Sequence, residues 1–474
     1  MENCVQQTMV SETDVAGIKL PKDELNKLNL GYKDPRRIGM NLLAGYHPLK
    51  KETVDKITRS GFLLYNILNK VNTLYSRAVS KGSNQLTELL ETGILRIPEI
   101  RDFHRELICS GRRCLPIIFR GDSPDSVQFS EFHAGLRGLG YLWAFRKTME
   151  KTHPPCSTFS FENLHNHLSC FKNRMLPKPA AVCVDEKGYT CAPEIDYLLK
   201  ELFGNSLIKI RRYFSPGIIH NRKPQNLQDL SSFTLLLISP RRMFWHRGSA
   251  CKISFKWTPF LQKIIYNSWF EIIQRYKNGT VDIEPAPNIF FEQKVIMALL
   301  WHAQYREYFT QEERTIFPES YIIEDNSTYE FDGAQYSIDN IIDMPRRQRE
   351  FIVKYAGLDL QVNWGGQRVY RLKNLSRQSA RRIFTRAIGS YKKHREPWII
   401  QKDISQKKKI SFLDTTDNKM RSDNMYTLYR PYYLASPDGK SVELIDILAF
   451  FRKFFKVHAT NDSVCGLVKI QNGS

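Results

Sequence analysis

Phe351-Ile352-Val353-Lys354 opens the stretch on which the fold turns, and Trp398-Ile399-Ile400-Gln401-Lys402-Asp403 closes it. The first run is apolar, β-branched and ends on a cation, while Val369-Tyr370-Arg371-Leu372 alternates like a second strand. Between them Gly357 and Gly365-Gly366 flank Asp359 and Asn363-Trp364 in a glycine-rich bend. Ser376 is placed to cap a helix, and Ala380, Ile383, Phe384, Ala387, Ile388 and Tyr391 recur at three- and four-residue steps. The pattern predicts a helix from Arg377 to Lys393, a break at Pro397 and a third strand. A nucleoside triphosphate suits such a unit. Lys354 would set a point charge at a strand end. A glycine loop lets backbone N–H groups approach an anion without Cβ interference. Gln401 to Asp403 would offer backbone groups to an adenine edge. An ordinary twisted hairpin under a covering helix has the same spacing, so the motif needs company.

That company lies far upstream. Leu115-Pro116-Ile117-Ile118-Phe119-Arg120 reads as a strand, followed by Asp122 and a turn over Ser123-Pro124-Asp125. Val127 to His133 alternates as a second strand, which puts Glu131 and His133 on one face. A cation, two carboxylates and an imidazole around one hairpin form a set that a metal-phosphate site would use. A surface ion pair on a plain hairpin is the simpler alternative.

The rest of the chain is read as scaffold. Residues 51–109 show helical periodicity after a polar lead-in, and His153 to Lys178, with its prolines, reads as a linker. Ala180 to Asp185, a helix near Pro193, Ile208-Lys209-Ile210, Leu235 to Ser239 and a helix over Phe260 to Tyr276 alternate as a parallel α/β layer. Lys294 falls early in a helix reaching Trp301, where a cation opposes the local dipole and hints at an anionic ligand. Ser405 to Ser422 reads as a charged loop. Met425 to Tyr433 reads as a strand containing Arg430, Ser436-Pro437-Asp438-Gly439 as a hairpin turn, and Val464 to Ile470 as a final strand.

Composition sets the outer bounds. The 474 residues, 42% hydrophobic and 12% aromatic, suffice for two or three domains with real cores. No apolar run is long enough for a bilayer and no leader is visible at the N-terminus, so a cytoplasmic protein with no membrane partner is expected. Nine cysteines at irregular spacings carry no CxxC pair and suggest reduced, mostly buried thiols. The net charge of +21 admits nucleic acid or an acidic substrate, but Arg211-Arg212, Arg241-Arg242, Arg346-Arg347 and Lys407 to Lys409 are scattered rather than gathered into one arm.

Taken together, the segments resemble the circularly permuted ATP-grasp ligases, typified by the synthetase domain of glutathionylspermidine synthetase. The hairpin with Arg120, Asp122 and Glu131 resembles the family's metal-binding strand pair. Cys183 to Gly204 resembles its pre-ATP-grasp layer, Asn288 to Trp301 the helix with a phosphate-contacting lysine, and Phe351 to Asp403 the lid and adenine hinge. The order of these segments carries the likeness. It implies an α/β (α+β) ATP-grasp fold with a helical region over 1–110, a permuted metal-binding part over 111–176, a Rossmann-like pre-ATP-grasp domain over 177–284 and a nucleotide-binding part over 285–474. It implies ATP and Mg²⁺ as cofactors, and a ligase joining a small-molecule or peptide carboxylate to an amine through an acyl phosphate. Lys294, Lys354, Gln401 and Lys402 would contact the nucleotide, Gly357, Gly365 and Gly366 would form the lid, Asp122, Glu131 and His133 would hold the metal, and Arg120 or Arg430 would steady the transferring phosphoryl group. The family's metal strand has asparagine two residues after the glutamate. His133 stands there in this chain, and histidine favours softer metals than Mg²⁺. A non-catalytic ATP-grasp-like binding protein and a basic nucleic-acid-binding protein are the alternatives.

Overall fold

In the computed structural model, residues 41–43, 45–91, 98–110, 115–125, 127–150, 159–175, 180–184, 192–204, 208–211, 233–236, 274–286, 288, 290–357, 368–414, 417, 419–457 and 462–471 are described. The protein is mixed α/β.

Its largest sheet joins early and late segments among the described residues. Lys407–Asp414, Asn41–Leu43, Ser463–Gln471, Val442–Arg452, Lys419–Ala435, Ile118–Asp122 and Glu131–Ala134 lie in that order, and His47–Lys50 also pairs with Ser463–Gln471. Lys407–Asp414 pairs again with Lys419–Tyr426, so the path closes on itself and leaves the Ile118–Ala134 hairpin as an outer extension. Two readings of the sequence change here. The stretch expected as a charged loop is a strand pair, with Ile410 and Phe412 buried beneath a cationic outer face. The polar lead-in contributes strands from residue 41 onward, pairing parallel with the C-terminal strand.

Helices cover both faces. Lys51–Ser80, thirty residues long, buries Val54, Ile57, Leu64, Ile67, Leu68, Val71 and Tyr75 against one face. Gly61 lets it sit close: a Cβ there would lie 2.3 Å from the Tyr433 ring, whose hydroxyl donates to the Ile57 carbonyl at 2.7 Å. Leu139–Met149, Phe161–Met175 and Ala192–Phe203 cover the other face. Phe161–Met175 falls where a linker was expected; Leu164, Leu168 and Phe171 give it a buried face that prolines at its borders obscure.

Ile208–Arg211, Ala180–Val184, Phe233–Leu236 and Val281–Glu284 form a parallel sheet, as the strand–helix alternation predicts. Most of the helix read over Phe260 to Tyr276 lies outside the described residues. A further sheet, Val369–Arg371, Phe351–Tyr355, Trp398–Lys402 and Ser320–Ile322, is antiparallel and packs on the Arg377–His394 helix through Val353, Trp398, Ile400, Ile383 and Phe384. That helix starts as read: Ser376 Oγ accepts from the Ser379 amide at 3.1 Å. Among the described residues, no helix is long and apolar enough to cross a membrane. Cys109 and Cys170 are exposed and Cys465 is buried, so burial of the thiols is not general.

Candidate functional site

The site begins with strand register. Arg120 lies opposite His133 and Asp122 opposite Glu131, while Phe119 meets Ala134 and Gly121 meets Phe132. A period of two therefore places four ionisable side chains on one face and the apolar set on the core face. The strand is shorter than its alternation suggests. Asp125 Oδ1 accepts from the amides of Val127 and Gln128 at 2.9 and 2.8 Å, and the Phe129 amide goes to the Ile316 carbonyl at 2.7 Å. Pairing resumes only at Glu131. The first strand is shifted correspondingly, to Ile118–Asp122, and its start is held by Glu284, which accepts from the Ile117 amide at 2.8 Å.

Each hairpin carboxylate is divided between two tasks. Asp122 Oδ1 lies 3.1 Å from Arg120 Nε and 3.3 Å from Arg430 Nε, and its Oδ2 faces His133 Nε2 at 3.8 Å. Glu131 Oε1 takes Lys294 Nζ at 2.6 Å, and its Oε2 faces the same imidazole nitrogen at 3.5 Å. Burial alone would raise Asp122, but Arg430 and Arg120 outweigh it and hold the carboxyl below its usual range. Burial likewise opposes ionisation of Glu131, and Lys294 with His133 keeps it well below the usual range.

Lys294 stands immediately before the short buried helix Val295–Leu299 rather than inside a long one. The loop ahead of it is tied to the N-terminal helices: Asn288 Nδ2 donates to Asn72 Oδ1 at 2.8 Å and Gln293 Nε2 to the Leu90 carbonyl at 2.7 Å. In that loop Glu292 has φ 87°, a left-handed conformation costing on the order of 1–3 kcal/mol. The bend turns its carboxylate onto Arg137 and to 3.5 Å from His133 Nδ1, where Arg137 Nη2 also lies at 3.4 Å.

The antiparallel sheet supplies the opposite wall. Lys354 Nζ reaches 3.2 Å from the Ser130 carbonyl, next to Glu131, and 2.5 Å from Gln401 Oε1. Gln401 Nε2 in turn donates to Ser320 Oγ at 2.9 Å. Burial pushes Lys354 down to about 8; Glu131 resists that and Lys294 adds to it.

The structure thus brings Arg120, Asp122, Glu131, His133, Lys294, Lys354, Gln401 and Arg430 together from segments spread over residues 120 to 430. Lys402 is not among them: its Nζ pairs with Asp332, and its amide donates to the Glu319 carbonyl at 3.0 Å. The Asp403 amide donates to the Glu350 carbonyl at 2.8 Å, so these two hinge amides are used inside the sheet. Gly357 lies two residues beyond the lysine strand, where a Cβ would fall 2.4 Å from Tyr355 Oη. Gly365 and Gly366 lie outside the described residues. Sequence reading missed Arg137, Glu292 and Ser320. Charges placed between Gly135 and Gly138, and just ahead of an apolar run, were the available signals for the first two.

The resemblance implies Mg²⁺ here. Mg²⁺ takes oxygen ligands in an octahedron, whereas Asp122, Glu131 and His133 present two carboxylate oxygens and a nitrogen, all within 4.8 Å of one another. The imidazole nitrogen in this donor set does not fit Mg²⁺.

No family model matches the chain, and no curated protein matches it. Among solved structures, a glutathione synthetase-like effector from Globodera pallida, in its apo form, is similar with a TM-score of 0.47 and 10% identity, over 95% of this chain and 96% of that one.

Proposed function

We propose that the protein is an ATP-dependent carboxylate–amine ligase with a circularly permuted ATP-grasp arrangement. One observation carries this reading: Lys354, from a late strand, ends 3.2 Å from the Ser130 carbonyl at the mouth of the early carboxylate hairpin. Among the described residues, Arg120, Arg137, Arg430, Lys294 and Lys354 meet Asp122, Glu131 and Glu292 in one place, buried except at Glu131, which is partly exposed. Cations gathered out of water act strongly on a polyanion.

In the proposed reaction Lys294 and Lys354 bind the β- and γ-phosphates. An oxygen of the substrate carboxylate attacks the γ-phosphorus, the bond to the β-phosphate oxygen breaks, and ADP leaves. Arg120 within the hairpin and Arg430 on the neighbouring strand balance charge on the transferring phosphoryl group. The amine then attacks the acyl carbon, inorganic phosphate departs, and the amine's proton passes to solvent. The side chains position the reactants and neutralise charge; none forms a covalent bond.

The test is to supply ATP with pools of small carboxylates, amino acids and short peptides and to measure phosphate release and new products by mass spectrometry. Phosphate release that depends on both a carboxylate and an amine, and that is lost in Lys354→Met, is expected. ATP binding without turnover under every metal tried would instead make the protein a binding module. No ATP binding at all would end the reading.

A further inference from the structure

The spacing around His133 singles out a cation other than the one the resemblance implies. A direct charge-assisted hydrogen bond to a carboxylate is about 2.7–2.9 Å long. His133 Nε2 instead stands 3.5 Å from Glu131 Oε2 and 3.8 Å from Asp122 Oδ2. Ligand atoms about 2.1 Å from a tetrahedral ion lie about 3.4 Å from each other. The observed separations match ligands around a shared ion better than partners in a hydrogen bond. The opposite side of the ring agrees. Glu292 Oε1 is 3.5 Å from Nδ1, where a carboxylate accepts the Nδ1 proton of an imidazole whose Nε2 binds an ion. Arg137, at 3.4 Å from Nδ1, also holds Glu292 and so fixes that carboxylate beside the ring. Asp122 and Glu131 each keep one oxygen for this purpose, because Arg120, Arg430 and Lys294 occupy the other.

We infer that Asp122, Glu131 and His133 bind a divalent transition ion that accepts imidazole nitrogen, Zn²⁺ or Co²⁺ before Mg²⁺, and that Glu292 is the positioning residue for His133. The order follows from ligand type: imidazole suits Zn²⁺ and its neighbours, while Mg²⁺ keeps to oxygen. The inference concerns the same site as the proposed ligase, but it is measured without nucleotide. Its failure with ATP binding intact would leave that reading standing, and the reverse also holds.

The chelator-stripped full-length chain would be titrated calorimetrically with ZnCl₂, CoCl₂ and MgCl₂, and bound metal counted by elemental mass spectrometry. One ion per chain is expected, with Zn²⁺ and Co²⁺ bound roughly 100-fold more tightly than Mg²⁺. The visible Co²⁺ absorption should change in His133→Asn, and that variant should lose most of the preference. Glu292→Gln should bind Zn²⁺ about 10–100-fold more weakly while its circular dichroism stays native. Mg²⁺ bound as tightly as Zn²⁺, a Co²⁺ spectrum indifferent to His133→Asn, or no ion retained would overturn the inference.

Discussion

At the scale of single residues, Lys354 separates function from stability. Its cation is buried and costs the fold desolvation, so Lys354→Met should change stability by no more than about 1–2 kcal/mol. The same change should weaken ATP binding about 10–100-fold, the worth of one charged hydrogen bond. Urea melts and calorimetry, read together, check both halves. Glu194 tests burial differently. Its carboxylate accepts from the Gly138 amide at 2.6 Å at the start of the Leu139–Met149 helix, and burial raises it to about 7. A raised carboxyl stabilises fully below its unfolded value of 4.5, and that contribution is lost as pH climbs through 7. Relative to Glu194→Gln, the wild type should therefore lose on the order of 3 kcal/mol between pH 4.5 and pH 7, visible as a converging or crossing pair of urea-midpoint curves. Residue types at the site were largely legible, because Arg120, Asp122, Glu131 and His133 stand close in sequence. Glu292 was less so: its charge ahead of an apolar run is a signal, but nothing local announces the left-handed bend that aims it.

At the scale of elements, the antiparallel sheet and its helix follow their sequence closely. Apolar runs, a serine cap and a proline break all agree there, and local preference and burial point the same way. The Lys407–Asp414 strand was hidden because Lys407, Lys408 and Lys409 precede a weak two-residue alternation, and its pairing with Asn41–Leu43 comes from the far end of the chain. The Val127–Ser130 stretch looked like strand because alternation says nothing about where amides go, and Asp125 captures two of them. The packing of the long helix yields its own expectation. Gly61→Ala would push a methyl group into the Tyr433 ring and should cost about 1–3 kcal/mol in chemical denaturation. Tyr433→Phe, which loses only the bond to the Ile57 carbonyl, should cost about 1 kcal/mol. Equal costs would mean that the helix does not rest on that ring.

At the scale of the whole molecule, residues 118–134, 292–294, 351–354 and 430 converge on one buried cluster, although the chain separates them widely. The sequence offered these segments in an order but no distances, and only the direct pairing of Lys419–Ala435 with Ile118–Asp122 brings Arg430 over Asp122. If the segments act as one unit, Glu131→Gln and Lys294→Met should be non-additive in stability, with a coupling of about 1–3 kcal/mol in a double-mutant cycle. The most direct measurement is a calorimetric titration of ATP into the wild-type chain, Lys354→Met and Arg120→Met. One binding event, weakened at least tenfold by a change on either wall, is the expected result. ATP bound with equal affinity by all three, or by none, would contradict a shared triphosphate site.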